Sequence, residues 1–112
     1  MSGLRSPLEG VGLDVERGPE RPLFAPSEGT MRLFERAAAA ATAVGITLEH
    51  GTFGGGSDGN FTGALGIPTL DGLGAVGAGP HTLGEHVLIP ELVPRARLFA
   101  GLLAGLAAGG AL

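Results

Sequence analysis

The stretch TFGGGSDGNF (residues 52–61) places three consecutive glycines before Ser57 and Asp58. Glycine loses more backbone freedom on folding than any other residue, so a run of three is costly to order. Such a run is expected where something approaches the backbone too closely for a side chain. In the overlapping segment ITLEHGTF (46–53), every second residue from Ile46 to Thr52 would lie on the same face, which predicts a β-strand. Because Ser57 or Asp58 can cap a helix, the sequence predicts a strand, a glycine turn and a helix in succession.

A turn of this kind can serve two purposes. Where a strand leads into a capped helix, unpaired backbone N–H groups converge and suit an anion or a carbonyl oxygen. Alternatively, the glycines only supply the positive φ of a tight turn, with no ligand. The chain contains no lysine, which excludes a phosphate-binding loop of the GxxxxGK[ST] type.

Strands and helices are predicted to alternate along the chain, which indicates an α/β fold. Ser27 or Thr30 can cap a helix over about residues 31–44, with Gly45 at its end. The short helix after the glycine turn is expected to end near Leu65, before Gly66. The remaining predicted elements are strands in VGLDVER (11–17) and IPTLDGLG (67–74), and a last helix in ELVPRARLFAGLLAGLAA (91–108) with Pro94 in its first turn.

Composition and charge exclude several classes of protein. The net charge is −4 without a basic stripe, so no nucleic-acid partner is expected. There is no cysteine, hence no disulfide framework and no thiolate metal site. The N-terminal residues lack the apolar core of a signal peptide, and we expect a cytoplasmic protein.

The apolar C-terminal stretch LFAGLLAGLAAGGAL (98–112) has glycines at every fourth position from Gly101 to Gly109. Such a stripe can pair helices in a membrane. However, its 15 residues fall short of the roughly 20 that span a bilayer. We therefore expect no membrane contact, and a helix whose glycines let it lie close against a sheet.

The segment GAGPHTLGEH (77–86) holds two of the three histidines of the chain. On a helix His81 and Glu85 would share a face, as metal ligands can. Pro80 and Gly84 favour a loop instead, and a lone histidine can equally have a structural role. His86 is expected to be a bystander.

Taken together, these motifs resemble a known family. The sequence GGGSDGNFTGALGIPTLDGLGAVGAGPHTLGEHV (54–87) resembles the C-terminal signature of the zinc-dependent aminoacylase, acetylornithine deacetylase and carboxypeptidase G family, with the closest likeness to its glutamate carboxypeptidase branch. Upstream, residues 12–53 resemble the end of the small lid domain of that family and the return into its catalytic domain. Gly84 departs from the pattern, since many relatives carry an acidic residue there.

The resemblance implies a fold and a domain organisation. Residues 1–21 would be the end of the lid (dimerisation) domain and the crossover, and residues 22–112 the C-terminal half of the catalytic peptidase domain. That domain would be a mixed sheet with flanking helices. An N-terminal half chain or a homodimer partner would complete the structure.

The resemblance also implies roles for individual residues. His81 matches a zinc ligand, and Glu85 a carboxylate that supports the ligand or its loop. Arg21 matches an arginine that holds the terminal carboxylate of the substrate, a role suited to the bidentate guanidinium. Gly56 matches a position whose backbone approaches the substrate. Other polar residues near these positions are expected to be structural: Asp58 and Asn60 as caps and turn formers, and His50 as a core or edge histidine.

Most of the site implied by the family is absent from this sequence. The family's two-zinc site takes its other ligands from a His-x-Asp pair, a Glu-Glu pair and a further acidic residue, and neither pair occurs here. No catalytic residue is therefore expected in this chain. The implied parent activity is zinc-dependent hydrolysis of the amide bond of small N-acyl amino acids or dipeptide-like substrates with a free carboxylate. Two alternatives remain open: a non-catalytic truncated remnant, and an anion-binding module that uses the turn at residues 56–58.

Overall fold

In a computed structural model the chain is described over residues 6–109, and three helices and one small sheet account for its regular structure there. The helices are α1 (Glu28–Ala43), α2 (Gly59–Ala64) and α3 (Ile89–Gly109). The strands β1 (Gly77–Ala78) and β2 (His86–Val87) pair antiparallel, with Gly77 opposite Val87. This combination is compatible with an α/β fold. The sequence did not predict the β1–β2 hairpin.

Helix α1 forms where local signals predict it. The Ser27 backbone is extended (φ −89°, ψ 169°), and its Oγ accepts a hydrogen bond from the Thr30 N–H at 3.1 Å. The helix ends before Gly45, whose φ of 76° is left-handed and whose N–H donates to the Thr42 carbonyl at 3.1 Å. The predicted cap and stop are confirmed, and the helix begins three residues earlier than residue 31 because Ser27 is the cap.

The core lies between α1 and α3. Leu33, Ala37 and Ala41 are buried on α1, and Leu98 and Leu102 are buried on α3. A methyl group at Gly101 would lie 3.7 Å from the Ala40 Cβ, so the two helices approach each other closely there. The expectation that the last helix packs on a sheet is therefore wrong: its glycine-containing face meets another helix.

Three segments predicted as strands form no regular strand in the part of the chain that the structure describes: residues 11–17, 46–53 and 67–74. The physical reason is the lack of hydrogen-bonding partners, since a strand exists only as one side of a ladder. Leu48, Leu70 and Leu73 from two of these segments still pack partly against the core. No mixed sheet is formed among residues 6–109.

The molecule is elongated and covers its apolar side chains poorly. Its Cα radius of gyration is 19.4 Å, whereas about 13 Å is usual for 100 residues. Leu23, Phe53 and Leu83 are almost fully exposed, at 92%, 87% and 110%. The described residues thus form one helical pair with loosely attached segments.

Helix α3 differs from its prediction at the N-terminus. It starts at Ile89, so Pro90 occupies the first turn and Pro94 lies inside the helix. The prediction that Pro94 belongs to the first turn is wrong. With 21 residues, α3 is long and apolar enough by composition to cross a membrane, which by itself is weak support for a span. Here its buried leucines pack on α1.

Candidate functional site

Residues 21–24 lie along α2, and Arg21 is held there by two contacts. Its Nη1 donates to the Asp58 Oδ1 at 3.4 Å. Its guanidinium carbon lies 5.3 Å from the centre of the Phe61 ring, a cation–π distance. The Arg21 side chain is 44% exposed and the Asp58 side chain 99% exposed. The guanidinium therefore borders solvent, with its exposed ion pair contributing little stability.

Gly56 lies directly beneath the Arg21 side chain. A Cβ at Gly56 would come within 3.0 Å of the Arg21 Cδ and 3.2 Å of its Nε. A Cβ at Gly54 or Gly55 would meet nothing within 4 Å. Of the three consecutive glycines, only Gly56 is thus in tight contact with another described residue, the flexible Arg21 side chain. The structure brings the two predicted substrate-binding residues, Arg21 and Gly56, together.

The glycine turn already uses several of its backbone donors. The Ser57 N–H donates to the Asn60 Oδ1 at 2.9 Å, and the Gly59 N–H to the Ser57 Oγ at 2.9 Å. The N–H groups of Asn60 and Phe61 donate to the carbonyls of Ser57 and Asp58. Asp58 occupies the N-cap position but makes no capping hydrogen bond through its side chain. Within the turn at residues 56–58, the Ser57 N–H is thus already engaged by a side chain of α2.

His81 lies in the loop between β1 and β2, in a backbone conformation that is rare for a residue with a side chain. Its φ is +63°, in the left-handed region. Its N–H donates to the Glu85 Oε2 at 3.4 Å. Glu85 therefore contacts the backbone of His81 and helps to fix the loop. The His81 side chain is exposed at the tip of the hairpin.

The rest of this loop is bonded within itself. Thr82 donates from both its N–H and its hydroxyl to the Gly79 carbonyl, and Gly84 donates to the Thr82 hydroxyl. The His86 Nδ1 lies 2.8 Å from the Gly84 carbonyl, which ties its ring to the loop. Among residues 6–109, no hydrogen bond links this loop to Arg21 or Asp58, and no group of three or more His, Asp or Glu side chains could hold a metal ion.

A separate open groove of about 750 Å³ runs beside α1. Its lining includes Met31, Leu48 and Leu70, with Asn60 at one edge. His50 lies over this groove and meets the Phe34 ring edge-on, with ring centres 4.8 Å apart. The groove touches the glycine turn but not Arg21, Gly56 or His81. His50 thus has an aromatic packing contact, but it is exposed and lies on no strand, so the expectation of a core or edge histidine of a strand is wrong.

Two polar side chains have structural connections that the sequence did not reveal. Asn60 joins the glycine turn to Pro22, because its Nδ2 donates to the Pro22 carbonyl at 2.8 Å. Arg95 on α3 donates to the carbonyls of Gly72 and Gly74, at 2.7 and 2.9 Å. Both contacts join residues more than 20 positions apart, so no local pattern could have predicted them.

Comparison with known proteins identifies the family to which this chain belongs. The model of peptidase family M20/M25/M40 matches residues 11–105. The chain belongs to this family. Succinyl-diaminopimelate desuccinylase from Thioalkalivibrio sulfidiphilus (strain HL-EbGR7) is 38% identical over 100 residues. That alignment covers 86% of this chain and 26% of the relative. No solved structure matches the chain significantly.

Membership of the M20/M25/M40 family confirms the resemblance noted from the glycine turn and the histidine loop. The family is described as a peptidase family, and the relative is a desuccinylase by name. The chain spans about a quarter of the length of the curated relative that it matches. It is therefore comparable with one part of a family-length enzyme.

Proposed function

We propose that this chain supplies the substrate-carboxylate site and one metal ligand of a zinc-dependent hydrolase. The complete enzyme would cleave the amide bond of a small N-acyl amino acid or a dipeptide-like substrate with a free carboxylate. The relative is a desuccinylase by name. Loss of an N-succinyl group from an amino acid is a reaction of the proposed class.

The observation that carries this proposal is the position of Arg21 over Gly56. A guanidinium is the side chain best suited to bidentate carboxylate binding. Bare backbone beside it allows a small substrate to lie close, since a Cβ at Gly56 would already press on Arg21. Among residues 6–109, the partly exposed Arg21 has one ion pair, a long one to Asp58 at 3.4 Å, so a substrate carboxylate can compete for it.

We assign His81 as the metal ligand that this chain contributes. Its left-handed backbone is the kind of unfavourable conformation that proteins retain at functional sites. The Glu85 contact to its N–H supports that conformation. The described residues do not form a zinc site by themselves, so the remaining ligands would come from other parts of a family-length enzyme. Bound zinc would polarise the scissile carbonyl and activate water.

We also propose the division into residues 1–21, at the end of a lid domain, and residues 22–112, in the catalytic domain. Residues 11–20 form no regular element here and are exposed throughout, whereas residues 21–24 lie on α2. The point at which the chain begins to contact α2 therefore falls close to the proposed domain boundary.

A chimera tests the function. Residues 11–112 would replace the matching segment of the desuccinylase relative, and hydrolysis of an N-succinyl amino acid would be followed with and without zinc. We expect zinc-dependent activity from the chimera and none from its His81→Ala variant. If the His81→Ala variant is as active as the unmutated chimera, the assignment of His81 as a metal ligand is refuted. A folded chimera without activity would favour a non-catalytic remnant.

A further inference from the structure

We infer that Asn60 is a positioning residue that places the Arg21 guanidinium beside Gly56. This inference rests on the proposed function of Arg21, but the contacts that support it do not. The Asn60 side chain makes two hydrogen bonds, one as an acceptor and one as a donor. Its Oδ1 accepts from the Ser57 N–H at 2.9 Å, and its Nδ2 donates to the Pro22 carbonyl at 2.8 Å.

The two bonds connect segments that are far apart in sequence. Ser57 belongs to the glycine turn, and Pro22 adjoins Arg21, 38 positions before Asn60. One half-buried amide thus ties the turn to the segment that carries the guanidinium. Carboxamide is the one small side-chain group that offers both a donor and an acceptor at fixed separation. Aspartate lacks the donor, and alanine lacks both groups.

The other contacts between residues 21–24 and α2 do not fix the backbone of the Arg21 segment. The Phe61 ring, 5.3 Å from the guanidinium carbon, contacts only the end of the flexible Arg21 side chain. The Arg21–Asp58 pair is exposed and long, at 3.4 Å. Phe24 packs against Gly63, which keeps the segment near the helix but does not set its position along the turn. Asn60 alone, among these contacts, joins the Arg21 segment to the backbone that leads from Gly56. It therefore determines where the guanidinium lies relative to that glycine.

Nuclear magnetic resonance of the full 112-residue chain gives a direct test, since Arg21 lies over an aromatic ring. The Arg21 Nε–Hε signal, assigned by its loss in Arg21→Lys, should be displaced by the Phe61 ring current. Asn60→Ala and Asn60→Asp should each move this signal towards that of a free arginine. Asn60→Asp keeps an acceptor for the Ser57 N–H, so it isolates the bond to Pro22.

Thr62→Ala is the matched control on the same helix. The Thr62 hydroxyl donates to the Gly59 carbonyl, and its oxygen accepts from Thr69, but neither bond reaches the Arg21 segment. This variant should leave the Arg21 signal unchanged. The inference is overturned if the wild-type signal shows no displacement, if both Asn60 variants retain it, or if Thr62→Ala loses it equally.

A titration with N-acetylglycine separates this inference from the proposed function. The probe should shift the Arg21 signal in the wild-type chain, beyond the shift caused by sodium chloride at equal ionic strength. Its affinity should fall about two- to tenfold in Asn60→Asp, because binding must then order a mobile side chain. If the probe does not bind the wild-type chain while the ring-current results hold, the carboxylate role of Arg21 fails and the positioning role of Asn60 stands. Equal probe affinity in wild type and Asn60→Asp would overturn the positioning role.

Discussion

Replacing Arg21 by alanine in the desuccinylase chimera should weaken catalysis without releasing zinc. Arg21 is expected to make a charge-assisted, bidentate contact with the substrate carboxylate, worth about 1.5–3 kcal/mol. At 1.4 kcal/mol per tenfold, this corresponds to a loss of about ten- to a hundredfold in kcat/KM. The Arg21 side chain is 44% exposed, so solvent screening should place the loss near the lower end.

The assay compares two substrates and two variants. One substrate is an N-succinyl amino acid. The other carries an amide in place of the carboxylate of the amino acid itself, which is the group that Arg21 is proposed to bind. Arg21→Ala should reduce turnover of the acid but have little effect on the amide, which lacks the charge that Arg21 binds. His81→Ala should reduce zinc content and should affect both substrates, because it removes a metal ligand.

Arg21→Ala and His81→Ala must differ in zinc content and in their effect on the two substrates. The carboxylate-anchor role of Arg21 is wrong if Arg21→Ala loses zinc as His81→Ala does. It is equally wrong if Arg21→Ala reduces turnover of the acid and the amide by the same factor. Zinc content measured by elemental analysis and the ratio of the two kcat/KM values decide both points.

Three further predictions concern the chain itself and its glycine turn. The isolated chain should show no amidase activity with added zinc, because residues 6–109 hold no cluster of metal-binding side chains; metal-dependent turnover by this chain alone would contradict this. It should also be marginally stable, since few apolar side chains are buried among the described residues. Calorimetry should find no cooperative transition of the monomer above about 65 °C, the upper end for ordinary domains. In the chimera, Gly56→Val should reduce kcat/KM on the order of tenfold by displacing Arg21, whereas Gly54→Val, with nothing within 4 Å of its Cβ, should cost much less; equal losses would show that Gly56 has no special contact.

Features set by neighbouring residues were predictable from the sequence. The cap and the end of α1 depend on a few adjacent residues: Ser27 was one of the two predicted caps, and Gly45 was the predicted end of the helix. Gly66 likewise ends α2 with a φ of 77°. Strands were predicted less well because strand pairing depends on residues that are far apart in the sequence. Residues 46–53 have the alternation of a strand, yet the described residues offer them no ladder partner.

The candidate site shows the same division. That Arg21 and Gly56 bind the same substrate was expected only through the family resemblance, because 35 positions separate them in sequence. The roles of Asp58 and Asn60 were predicted as local caps and turn formers. Asp58 makes no such cap, and Asn60 reaches beyond its own turn to Pro22. That contact depends on how residues 21–24 are placed against α2, which the sequence of α2 does not encode.

The unpaired segments and the exposed apolar side chains have a common cause under the proposed function. Residues 46–53 form no ladder among the described residues, and Leu48 within them lines an open groove of about 750 Å³. Apolar surface of this kind is normally covered in a stable protein. The alignment accounts for 26% of the desuccinylase relative, so most of a family-length enzyme lies outside the matched part. We propose that this larger part covers the groove and supplies the ligands missing around His81, so that folding and metal binding would be completed by the same contacts.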